Sequence, residues 1–144
     1  MRRIGTALLA LAMSSCAGGP PQPVAIDVVN DVCAHCRMVI STPNTAAQLL
    51  APGEEPRLFD DLGCLRSFLE TAPAPEGSAI FVADHLSGDW VRIEDAVITE
   101  VPGLQTPMGS GLVAHRTSAD RDRDPATRGG RPYDKTTLLG GGRP

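Results

Sequence analysis

Two thiols three residues apart, Cys33 and Cys36, are followed by the thioether of Met38 in the stretch DVCAHCRMVI. A second methionine, Met108, stands in TPMGSG, after a proline and ahead of two glycines. Thiolates and thioethers are soft donors, which favour Cu(I) over harder divalent ions. A thioether also has no proton to lose, so it stays a competent ligand as pH falls. The β-branched residues after Cys36 read as a strand over residues 37–41, returning from a turn that begins at Asn30 and Asp31. Side chains at i and i+2 of a strand share a face. On that reading Cys36, Met38 and Ile40 point one way, Arg37 and Val39 the other, and Cys33 in the turn supplies a third sulfur. Met108 sits in a loop, where an apolar side chain is more often held out for a purpose than in a helix interior.

Other chemistries compete for the same residues. In a thioredoxin-like oxidoreductase the CxxC opens a helix whose field lowers the pKa of the attacking thiol. Here neither a helical stripe nor a βαβ pattern surrounds the pair. A structural zinc site wants a second pair of ligands at regular spacing, and Cys64, His85 and His115 stand singly in the sequence. A packed arrangement, with Met38 and Ile40 in the core and Cys33 bonded to Cys36, also fits. Residue types alone leave that arrangement and metal binding both open. Cys64 reads as a small buried hydrophobe, His35 as an exposed turn residue within reach of a fourth-donor role, and His85 and His115 as structural or solvated.

The compartment comes from the first residues. MRRIGTALLALAMSSC has two arginines, an apolar run over residues 4–13, small residues and then Cys16. Ten residues rise only about 15 Å as a helix, too little for a hydrocarbon core of about 30 Å. This is a secretory signal over residues 1–15, and AMSSC resembles a lipoprotein box that makes Cys16 the lipidated first residue. AGGPPQP then reads as a tether over 16–23. The expected location is the bacterial envelope, lipid-anchored and facing the periplasm, with the outer membrane favoured because Ala17 does not resemble a retention signal. The net charge of −4 offers no basic surface to a phosphate backbone, which excludes nucleic acid as a partner.

The elements that must position the sulfurs are short. Strands are expected over 24–29 and 37–41, with an ambiguous apolar run at 46–50. RLFDDLGCLRSFLE contains the clearest signal: a strand ending at Phe59, Asp61 as N-cap, and Leu62, Leu65, Phe68 and Leu69 on one helical face. Asp60 and Asp61 are both explained by capping. SAIFVAD and WVRIED form an antiparallel pair around HLSGD, followed by strands in AVITEV and LVAHR and a short helix near 119–123. The fold class is α+β, small antiparallel strands with one clear helix.

Taken together, the lipidated Cys16, CAHCRM, FDDLGC and TPMGSG, in that order, resemble the NosL family, the copper-binding accessory lipoproteins of nitrous-oxide reductase. DWVRIEDAVI and a fainter RGGRPYD add to the likeness, which covers about 24–116. The resemblance implies two ββαβ-like units, at about 24–84 and 85–144, within one domain over 24–144. It implies one Cu(I), held by Cys36 and Met38 with Cys33 and Met108, a copper donor protein, and delivery to nitrous-oxide reductase or another copper client. Two departures stand out: Arg37 occupies a position where family members commonly have glycine, and the second unit is degenerate. The expected role is a non-enzymatic metallochaperone that gives up its ion by ligand exchange. The rivals are a thiol-disulfide oxidoreductase using Cys33 and Cys36, and a structural envelope lipoprotein without metal.

Overall fold

The computed structural model describes residues 19–140; the signal and Cys16 lie outside them. Strands β1 (Ala47–Leu50), β2 (Arg57–Phe59), β3 (Ala79–Ala83) and β4 (Trp90–Arg92) form one antiparallel sheet in the order β2-β1-β3-β4. Strands β5 (Val97–Glu100), β6 (Leu112–His115) and β7 (Arg131–Pro132) form a second, in the order β6-β5-β7. Helix α1 (Leu62–Thr71) is the long one; α2 (Ser118–Arg123) and α3 (Lys135–Leu138) are short. Antiparallel sheets with one main helix make this the α+β class expected from the sequence.

Helix α1 forms for the reasons its sequence gives. Asp61 is extended and its side chain accepts from the Gly63 N–H, a standard N-cap bond. Leu62, Leu65 and Leu69 then recur on one buried face, against Phe59, Val82, Ile98, Leu112 and Leu138 in a single core cluster. Phe68 lies at the edge of that stripe and packs its ring 5.3 Å from Phe59.

Two expected strands are absent. Residues 24–29 do not join a sheet, because the buried Gln48 amide on β1 takes both backbone groups of Val24: Val24 N–H donates to Oε1 at 2.9 Å, and Nε2 donates to the Val24 carbonyl at 2.9 Å. Asp27 then turns the chain, its Oδ1 accepting from the Val29 and Asn30 N–H groups. Residues 37–41 make only a single antiparallel bridge, Val32 to Val39. The reason is Arg37, whose φ of 67° makes it the only non-glycine in the left-handed region among the described residues. That conformation closes a tight loop, with Arg37 N–H donating to the Cys33 carbonyl at 3.0 Å and Cys33 N–H to the Met38 carbonyl at 2.8 Å.

Candidate metal centre

The left-handed Arg37 overturns the alternation argument for the methionine. Met38 is 53% exposed, whereas Ile40 is fully buried, so the two do not share a face. The turn instead drives the sulfurs inward. Cys33 is fully buried and Cys36 half-buried, and Ala34 N–H docks the loop on the end of β2 by donating to the Leu58 carbonyl at 2.7 Å. Beneath the loop lie Asp60, just after β2, and Cys64, in the first turn of α1; both are buried.

Cys33, Cys36, Asp60 and Cys64 each offer a donor atom, and these atoms all lie within 4.8 Å of one another. Two sulfurs bound to one ion at about 2.3 Å can be at most about 4.6 Å apart, so the thiols stand at or close to the spacing of a shared ion. All three are free thiols. Asp60 Oδ2 accepts from the Cys36 thiol at 3.5 Å, and its other oxygen has no hydrogen-bond partner among the described residues. A buried carboxylate oxygen without a donor marks a place where an ion or ordered water belongs. The centre is unlike a redox CxxC. Neither thiol opens a helix, and burial, with Cys33 beside it, raises the Cys36 pKa against the pull of the Met38 N–H. Burial is also the main cause that pushes the Cys64 thiol up, helped by Cys33 and Asp60. Such thiols stay protonated at neutral pH until a metal displaces the proton.

Asp61 ties the loop that carries Met108 to the start of α1. The fully buried Asp61 caps α1 through Oδ1, while Oδ2 accepts from Thr106 Oγ at 2.5 Å and from the Met108 N–H at 3.1 Å. One carboxylate therefore fixes both the helix that carries Cys64 and the loop that carries Met108. Gly63 permits the close approach: a Cβ there would lie 2.7 Å from the Ser110 Cβ. Met108, 47% exposed, lines a surface depression with Cys64 and His35.

Sequence reasoning placed Cys33 and Cys36 together but read Cys64 as solitary and Asp60 as a cap. In the structure both join the pair, so the four-donor set that a structural zinc site wants does exist. The available signal was the double aspartate: one carboxylate suffices to cap a helix, which leaves the other free. Cys16 lies outside the described residues.

No protein-family model matches the sequence, and no curated protein does. Among solved structures, the crystal structure of the copper chaperone NosL from Shewanella denitrificans matches with a TM-score of 0.67. The fold is that of NosL. The match covers 80% of this chain and 93% of that one at 20% identity, so it speaks to the fold, and the donor set must carry the chemistry.

Proposed function

We propose that this protein is an envelope-anchored carrier of one Cu(I) ion, with no catalytic activity of its own, that passes copper to a client by ligand exchange. The observation that carries this reading is the convergence of Cys33, Cys36 and Cys64 within 4.8 Å, beside a depression lined by the thioether of Met108. Soft sulfur in that number favours Cu(I) over oxygen-seeking ions. The layering suits transfer. Cys33 and Cys64 lie inside, Cys36 is half-buried, and Met38 and Met108 are about half exposed. An incoming client meets the thioethers first, and can displace donors one at a time from the outside.

The resemblance of CAHCRM, FDDLGC and TPMGSG to the NosL family supports nitrous-oxide reductase as the client and a second protein as copper donor. The signal over residues 1–15 supports export, with Cys16 lipidated, the 16–23 tether spanning the gap from the membrane, and the outer membrane as the favoured site. The test is an anaerobic competition titration of the reduced full-length chain against a chromophoric Cu(I) chelator. One ion should bind, and Cys36→Ser and Met108→Leu should each weaken it. Binding unchanged by both variants would overturn the assignment.

One observation favours a second reading. A Cys₃Asp set within 4.8 Å also fits structural Zn(II). Zn(II) held more tightly than Cu(I), with unfolding on its removal, would favour that reading.

A further inference from the structure

His85, His115 and Asp124 come together where three elements end. His85 follows β3, His115 is the last residue of β6, and Asp124 directly follows α2. Asp124 Oδ2 sits between the rings, 2.6 Å from His85 Nδ1 and 3.0 Å from His115 Nε2. His115 is fully buried and the Asp124 side chain is 5% exposed, whereas the His85 side chain is 19% exposed and reaches solvent.

Each donor is held by its own backbone. His85 N–H donates to the Ala114 carbonyl at 2.8 Å, and its carbonyl accepts from the Asn44 side chain at 3.1 Å. The buried Asp84 pins the same turn by accepting from the Leu86, Ser87 and Arg116 N–H groups. Asp124 keeps Oδ1 on the Ala126 N–H at 2.9 Å, leaving Oδ2 to the rings. The ring atom that His115 turns to the cluster is Nε2; its Nδ1, on the other side of the ring, is buried without a partner among the described residues, so Asp124 is the one polar group that the structure gives this buried ring.

We propose that His85, His115 and Asp124 form a second metal site, for a borderline divalent cation of the Zn(II) class. It shares no residue with the sulfur centre. Two imidazoles and one carboxylate are the donors that Zn(II) takes when it keeps an open fourth position. One donor atom from each residue already lies within 4.8 Å of the others. Metal–ligand bonds of about 2.0–2.2 Å put tetrahedral neighbours about 3.3–3.4 Å apart. Relative to the hydrogen-bonded spacing, the His85 edge must open by roughly 0.7 Å and the His115 edge by roughly 0.4 Å. The larger movement falls on the more exposed ring. A cation enters beside His85, or from the adjoining depression that Asp124 lines with Asp122, Arg121 and Arg128; Arg121 is already paired with Asp122. The site is independent of the Cu(I) reading.

The experiment is a Co(II) titration of the reduced full-length chain, followed by displacement with Zn(II). Cobalt on thiolates gives near-ultraviolet charge transfer, whereas cobalt on imidazole and carboxylate gives visible d–d bands alone. A set of d–d bands is expected whose intensity does not follow any charge transfer from cobalt on the thiolates. These bands should persist in Cys36→Ser, vanish on adding Zn(II), and weaken in affinity by about tenfold or more in His85→Gln. His85→Gln should keep the native far-ultraviolet circular dichroism, since the residue is partly exposed. Zn(II) should raise the melting temperature of the native chain by more than that of His85→Gln. Cobalt seen only on thiolate, or bound equally by His85→Gln, would overturn the site.

Discussion

Replacing Asp61 by Asn tests how the loop that carries Met108 is tied to the helix that carries Cys64. The native carboxylate serves three donors with two oxygens: Gly63 N–H on one, Thr106 Oγ and Met108 N–H on the other. An amide has one accepting oxygen, so either orientation turns its NH₂ towards a backbone N–H, at the cap or at the loop. A hydrogen bond to a charged acceptor contributes about 1.5–3 kcal/mol, and the facing donors add the cost of an unsatisfied buried group. We expect a loss of about 2–4 kcal/mol, measured as a lower urea midpoint at constant slope on the metal-free, reduced protein. In the Cu(I) competition assay, with Met108 the proposed ligand, the double variant should lose less affinity than the sum of the losses in Asp61→Asn and Met108→Leu, because part of what Asp61→Asn removes is the placement of Met108. A stability loss below about 1 kcal/mol, or copper-binding losses that add in full, would refute the coupling.

Three further outcomes follow from the same geometry. Arg37→Gly should stabilise the fold by about 0.5–1 kcal/mol, since the left-handed cost of about 1–2 kcal/mol exceeds the extra backbone entropy of glycine; a lower melting temperature would contradict the strain at Arg37. Gly63→Ala should destabilise by about 1–2 kcal/mol despite the better helix propensity of alanine, because overpacking against Ser110 and Asp61 outweighs it; a neutral thermal melt would contradict the fixed contact of α1 with the 106–111 loop. The raised pKa values of Cys36 and Cys64 mean that Cu(I) must displace protons at neutral pH. Affinity should therefore climb with pH by about tenfold per unit for each ligating thiolate, until the thiol pKa is passed. An affinity independent of pH between 6 and 8 would exclude thiolate ligation, since a thioether has no proton to release.

The parts of the fold legible in the sequence were those governed by local rules. The Asp61 cap, the Leu62/Leu65/Leu69 stripe and the β3–β4 pair around HLSGD depend on residues close in the chain, and they stand as expected. The two missing strands failed because tertiary partners overrode local propensity. Gln48, more than twenty residues away, took the backbone of Val24. Arg37 entered a backbone region in which its residue type gives no warning, although glycine at that position in the resembling family was a hint. The site divides in the same way. The CxxC was visible as a local motif. The arrival of Cys64 and Asp60 beneath it, and of His85 and His115 around Asp124, depends on how the sheets and α1 pack, which residue spacing does not encode.

The most direct test of a sulfur-built copper centre is X-ray absorption at the copper edge on the reduced, Cu(I)-loaded chain. A first shell dominated by sulfur at about 2.3 Å, losing sulfur in Cys36→Ser, is the predicted result. A shell of nitrogen and oxygen alone, or copper that does not stay bound, would contradict it.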